Sequence, residues 1–145
     1  MTLKYKGLNF ITCFLILLGT TLCAQERRKI EIKYAPFMTF DESKPDATIL
    51  TRDNTKQVHI KHEGIEMWCD EAVYDAKQDF IEAYGKVRIK QGDTINMNSN
   101  YVEYSGKTQL AFASGAVVLK DPTSVITTDT LYFDRLKQEA FYQSK

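Results

Sequence analysis

A unit of about thirty residues recurs along this chain, and a fixed period of that length restricts it to architectures that stack or wind one small unit. Laying Ile65–Lys90 over Ile95–Lys120 superposes identical residues at eight places: an isoleucine, a methionine, a tyrosine, two lysines, an alanine, a glycine and a valine. A third copy, displaced by one residue, begins near Ser124 and runs to Lys145. Such units build surfaces and grooves more readily than catalytic pockets, which turns the functional question toward binding or scaffolding.

Each unit opens on an Asp/Asn corner followed by alternating apolar positions: Asp70 with Ala72 and Tyr74, Asn100 with Val102 and Tyr104, Asp129 with Leu131 and Phe133. A spacing of two places these side chains on one strand face. The second half closes on Ala83-Tyr84-Gly85-Lys86-Val87-Arg88-Ile89-Lys90 and on Ala113-Ser114-Gly115-Ala116-Val117-Val118-Leu119-Lys120. There Gly85 and Gly115 are expected to supply a positive φ or a close backbone approach at a bend. Turn signals lie between, at Gln91-Gly92-Asp93, Ser105-Gly106-Lys107 and Lys120-Asp121-Pro122. Each repeat is therefore predicted to hold about four short strands joined by tight turns, in an antiparallel all-β sandwich, roll or barrel. A degenerate half-unit precedes them: Val58-His59-Ile60-Lys61 matches Val87-Arg88-Ile89-Lys90, with Lys56 where the glycine belongs. Lys29-Ile30-Glu31-Ile32-Lys33-Tyr34 alternates cleanly and starts the sheet, 41–46 reads as a loop, and Thr48-Ile49-Leu50 as a short strand.

Asp70, Asn100 and Asp129 could be read as a ladder of metal or sugar ligands. Corner residues of this type more commonly hydrogen-bond their own backbone at a turn, and that is the expectation adopted. Tyr74, Tyr104 and Phe133 could stack on carbohydrate, but aromatic residues at strand spacing are expected to pack in the core. His59 and His62 stand three apart on a strand and so point to opposite faces, unable to grip one ion unless a bulge at Glu63-Gly64 intervenes and Asp70 or Glu71 joins them.

The N-terminus reads as a secretory signal peptide over residues 1–24, with Lys4 and Lys6 ahead of an apolar stretch from Phe10 to Leu18 that is short for a bilayer span. Cleavage is expected after Ala24, leaving one domain over 25–145; Leu22 argues against lipidation at Cys23. The leader takes two lysines and no acid from a chain of zero formal charge, so the remainder carries −2. That balance supplies no basic stripe of the kind that neutralises nucleic-acid phosphates. Cys69 is the one cysteine beyond the leader, so no internal disulfide is expected; aligned with Ser99, it calls for a small, half-buried residue. No nucleophile motif, phosphate-binding glycine loop or paired-cysteine metal site occurs, and no residue nominates itself for catalysis. We expect no enzyme, no metal and no cofactor.

The order and thirty-residue spacing of these elements, Asp/Asn-x-apolar-x-aromatic and then Ala-x-Gly-x-Val with a Gln-Gly-Asp turn, resembles the organic-solvent-tolerance A-like (OstA-like) family. That family includes the periplasmic lipopolysaccharide-transport proteins (LptA-like) and the N-terminal domain of the outer-membrane lipopolysaccharide assembly protein. The resemblance spans Ile30 to Lys145 and is strongest from Val58 to Phe133. It implies an antiparallel β-jelly roll whose groove shelters acyl chains and whose open ends stack on neighbouring molecules between the two membranes.

Carried over by position, the groove candidates are Val58, Ile60, Ile65, Met67, Val87, Ile89, Ile95, Met97, Val102, Tyr104, Leu110, Phe112, Val117, Leu119, Ile126, Leu131 and Phe133. The partners implied are lipopolysaccharide or a related glycolipid, inner- and outer-membrane transport components, and a further copy of the chain joined through edge strands. The implied location is the periplasm, with outer-membrane association as a variant. Two departures stand out: Lys56 in place of glycine, and a third repeat that reaches Lys145 before its closing glycine, as in a fragment or an unpaired edge. The competing reading is an exported structural or adhesive β-solenoid with a solid core. An envelope carbohydrate-active enzyme would need clustered carboxylates that the sequence does not show.

Overall fold

Wherever this sequence places an apolar residue at every second position, a strand can bury one face and leave the other to water. The computed structural model describes residues 28–143, so the expected signal peptide at 1–24 lies outside the described residues. Among them the strands are β1 (Glu31–Tyr34), β2 (Phe37–Asp41), β3 (Lys44–Thr51), β4 (Val58–His62), β5 (Ile65–Cys69), β6 (Glu71–Asp75), β7 (Phe80–Gln91), β8 (Ile95–Ser105), β9 (Leu110–Lys120), β10 (Val125–Asp134) and β11 (Glu139–Gln143). No helix occurs among the described residues, and every pairing is antiparallel.

The main path runs β1-β4-β5-β7-β8-β9-β10-β11, with β2-β3-β6 joining through β7. β7 pairs with β5 through its second half (Met67↔Ile89) and with β6 through its first (Ala72↔Ala83). The sheet is thereby folded into two leaves. One holds β1, β4, β5 and residues 86–91, 95–99, 116–120 and 125–128; the other holds β2, β3, β6, residues 80–84, 101–105, 110–114 and 130–134, and β11.

The fold line corrects one expectation. In place of four short strands per unit, the second unit holds two long, bent ones, β8 and β9, and the first holds the short β5 and β6 and the long, bent β7. Gly85 and Lys86 take positive φ in succession (74° and 46°), as do Gly115 and Ala116 (77° and 51°). Each pair acts as a bulge that turns the strand while its ladder resumes beyond, at Val87↔Ser99 after Tyr84↔Tyr101. The corner residues follow a second correction: Asp70 does not bond its own backbone. Its Oδ1 accepts from Gln57 Nε2 at 3.1 Å and lies 3.4 Å from Arg52 Nε. The expected loop at 41–46 shrinks to a turn at Glu42-Ser43, where Asp41 Oδ1 accepts the Ser43 N–H at 2.8 Å, and Lys44 already begins β3.

Between the leaves lies the core, with Leu50, Val58, Met67, Ile81, Val87, Val102, Val117 and Leu131 among its fully buried side chains. Each such aliphatic side chain contributes about 1.5–3 kcal/mol on leaving water. Cys69 sits deeper than the half-buried place expected of it, and Tyr74 and Tyr104 pack in the core as expected. His59 and His62 do face opposite ways: His59 stacks on Trp68 outside, with ring centroids 4.8 Å apart, while His62 is buried inside.

Candidate functional site

The inward side chains do not fill the roll evenly. Around β4, β6 and the first half of β7 the interior is solid, closed by Val58, Ile60, Ala72, Ile81 and Ala83. Toward β10 and β11 it opens into a cavity of about 370 Å³, with apolar walls and a small polar component. That is within the roughly 300–1,000 Å³ of sites that hold small ligands. Two alanines make the room. Ala111 and Ala113 point into the cavity from β9, while their neighbours Leu110 and Phe112 stand on the outer face.

The sequence-derived groove set therefore divides three ways. Ile65, Met67, Ile89, Ile95, Met97, Tyr104, Leu119, Ile126, Leu131 and Phe133 line the cavity together. Val58, Ile60, Val87, Val102 and Val117 are buried core beside it and do not reach the opening. Leu110 and Phe112 were expected inward and are not: Leu110 is 49% exposed, and Phe112 sits 4.8 Å from the Tyr132 ring in an outer aromatic row with Tyr84 and Tyr101. The reason is strand phase. Phe112 pairs with Glu103 across β8 and Glu103 with Glu82 across β7, so this row faces water. Sequence reasoning missed Ala111, Ala113 and Ala140 in the wall, and Gln91, Thr94, Asp121, Arg135 and Gln138 at its polar margin. The signal for the alanines was present, since the repeat aligns Ala113 with Ala83 and Phe112 with Glu82.

The seam where the leaves meet opposite the fold line is closed over part of its length. Three turn residues about thirty apart, Asp79, Gln109 and Gln138, share positive φ values of 52°, 57° and 56°. The buried Asp79 Oδ1 accepts the Ile30 N–H at 3.0 Å and the Tyr74 hydroxyl at 3.3 Å, which ties the chain before β1 across the seam. Gln109 Nε2 donates to Glu63 Oε2 at 2.8 Å. Arg135 completes that clasp: Nη1 reaches Gln109 Oε1 at 2.8 Å and Glu63 Oε2 at 3.4 Å, and Nη2 donates to the Glu63 carbonyl. Gln138 borders the cavity instead, and there the seam gapes.

Behind the clasp, His62 Nε2 lies 2.7 Å from the Arg28 carbonyl and Nδ1 lies 2.7 Å from the Tyr104 hydroxyl. A carbonyl oxygen only accepts, so Nε2 carries the hydrogen, and in the neutral ring Nδ1 then accepts from the Tyr104 hydroxyl. Burial pushes the Tyr104 phenol up to about 12, although the Arg135 guanidinium pulls the other way. No group of three or more His, Cys, Asp or Glu side chains suited to a metal ion occurs among the described residues. The arrangement offers an apolar hollow with a polar lip. It can hold hydrocarbon.

The family model described as OstA-like protein matches residues 27–145. No curated protein matches the sequence. Among solved structures, this fold is similar to LptH of Pseudomonas aeruginosa, described as the LptA-homologous periplasmic component of the conserved lipopolysaccharide transport device. The TM-score is 0.67 at 10% identity, over 81% of this chain and 84% of that one.

Proposed function

This chain belongs to the OstA-like protein family, and from that premise we propose that it is a non-enzymatic periplasmic carrier of lipopolysaccharide or a related glycolipid. The roll shelters acyl chains during passage between the inner and outer membranes. The observation that carries this reading is the cavity opened by Ala111 and Ala113 between walls of Ile89, Met97, Leu119, Ile126 and Phe133. Burying a methylene is worth about 0.8 kcal/mol, so an acyl chain of about twelve carbons left in water costs on the order of 10 kcal/mol. An apolar hollow offsets that penalty without chemistry. The solid-core scaffold describes only the part of the roll around Val58, Ile81 and Val102.

The ends of the roll support a bridging role. Met38 and Phe40 project from β2 on the inner side, 50% and 76% exposed, and Tyr142 projects from β11 at 53%. β1 and β2 are open edges at one end, and β11 with the first half of β10 at the other. Strand addition between copies would continue both leaves and cover these residues. A displacement assay tests the carrier reading: a fluorescent fatty acid bound to the protein is released by glycolipid, and Ala111→Phe abolishes both binding events. Unchanged binding in Ala111→Phe, or no binding by the parent, contradicts it.

A further inference from the structure

The fold line sorts charge as well as sequence. In the leaf of β1, β4, β5 and residues 86–91, 95–99, 116–120 and 125–128, the basic residues are Lys33, Lys61, Lys86, Arg88, Lys90 and Lys120, and the acids are Glu31 and Glu66. In the other leaf, β2, β3, β6, β11 and residues 80–84, 101–105, 110–114 and 130–134 contain eight acids and a single lysine, Lys44. A chain with almost no net charge is thus folded into a roll with one basic and one acidic outer face.

The basic face is ordered. Lys61, Glu66, Lys90, Asn96 and Lys120 stand opposite one another across five neighbouring strands, with Glu31 of β1 beside Lys61 at one end and Val125, 62% exposed, at the other. At about 4.8 Å per strand the row is about 19 Å long. Neither acid of the row makes an ion pair with its lysines: the Glu66 carboxylate lies 3.0 Å from His59 Nε2, and Glu31 pairs with Lys33 at 3.2 Å. In the adjoining row the Arg88 guanidinium lies 4.6 Å over the Trp68 ring, which is stacked in turn on His59. Lys61, Lys90 and Lys120 have no acid within ion-pair distance among the described residues.

We propose that this face docks on an anionic bilayer surface, with Lys61, Arg88, Lys90 and Lys120 meeting lipid phosphates and Trp68 and Val125 at headgroup level. Charge complementarity selects an anion, and the geometry selects a planar one. The cations lie spread along a sheet face instead of converging on one point, so a flat array of phosphates can engage them together. The acidic leaf is repelled by the same surface, so the roll lands in one orientation. This goes beyond the carrier reading and does not depend on it: a roll with its cavity filled would still dock.

Sedimentation with vesicles tests the proposal. The purified chain is expected to pellet with phosphatidylcholine vesicles that contain phosphatidylglycerol, to stay in solution with phosphatidylcholine alone, and to be released by high salt. Lys90→Gln with Lys120→Gln lowers the partition by about fivefold per lysine. Lys77→Gln with Lys137→Gln, at turns of the opposite leaf, makes the same change in net charge and leaves it unaltered. Circular dichroism confirms that both pairs keep the β-signal. Failure to pellet with the anionic vesicles overturns the proposal, as does equal loss in the two double variants. Capture of inorganic tripolyphosphate without vesicle binding also overturns it, in favour of a soluble anion.

Discussion

The Cβ that Gly85 lacks would stand 2.9 Å from the Asp70 carboxylate oxygen, and thirty residues on Gly115 stands the same way against Asn100. Bend and corner are thus one device, used twice, and it folds the sheet. Gly85→Ala must strain a φ of 74° and displace Asp70, which is itself held by Gln57 and Arg52. A loss of about 1–3 kcal/mol is expected in urea unfolding. Gly64→Ala, at φ 87° with nothing near the added methyl, bears the backbone cost alone and should lose about 1 kcal/mol. Equal losses at the two sites would show that the Asp70 contact carries no weight.

The clasp across the seam predicts a local opening. Arg135→Ala removes the donors to Gln109 Oε1 and to the Glu63 carboxylate and carbonyl in a half-buried setting. About 1–3 kcal/mol of stability should go with them. Amide exchange should quicken at 63–64 and 107–109 and stay slow at the fold line around Gly85. Uniformly faster exchange would mean that Arg135 supports the whole roll.

Filling the interior should have unequal effects at two repeat-aligned alanines. Ala113 is as buried as Ala83 but has the cavity beside it, so Ala113→Phe is expected to lower the melting temperature less than Ala83→Phe while blocking ligand. Ala83 lies in the solid region, fully buried between Ala72 and Val102 in the sheet. Ala83→Phe overpacks it and should cost about 1–3 kcal/mol. Thermal melts of the two variants decide whether the roll is open at one end and closed at the other.

Cys69 gives a pH prediction. Burial, with a smaller effect of the Asp70 charge beside it, pushes its thiol up to about 12. The native protein should therefore be inert to Ellman's reagent at neutral pH and react once unfolded. The folded state keeps a proton that the unfolded chain releases above about 8.5, so this group's contribution is whole below that pH and declines as pH rises toward 12. Rapid reaction in native buffer would place Cys69 at the surface.

Asp121 acts at the other extreme. N–H and hydroxyl donors of Thr123 and Ser124, led by the Thr123 N–H, hold its carboxyl down at about 2. Its contribution is present above the ordinary carboxylate range and is lost as pH falls through about 2. Asp121→Asn should flatten the acid limb of a stability profile measured by denaturant titration between about pH 4 and pH 2.

Much of this fold was legible because a period of two states which residues share a face. It does not state which face turns inward where both phases are apolar. Leu110-Ala111-Phe112-Ala113 is such a stretch, and choosing the bulky phase put Leu110 and Phe112 inside. Comparison with Phe80-Ile81-Glu82-Ala83, where Glu82 must meet water, would have settled it. Gly85 and Gly115 were recognisable as bends, but a glycine that ends a strand and one that bends it look alike until the ladder is seen to resume at Val87. The clasp joins Glu63, Gln109 and Arg135 across as many as 72 positions, and the sorting of charge depends on where the fold line falls. Neither is written in local spacing.

The most direct test of the account uses two neighbouring residues of opposite aspect. A photo-crosslinking side chain replaces Ala113 in the cavity wall or Phe112 on the outer face, and adducts are collected from cells. The account predicts glycolipid adducts from position 113 and none from 112. Equal labelling from the two positions, or none from 113, would contradict it.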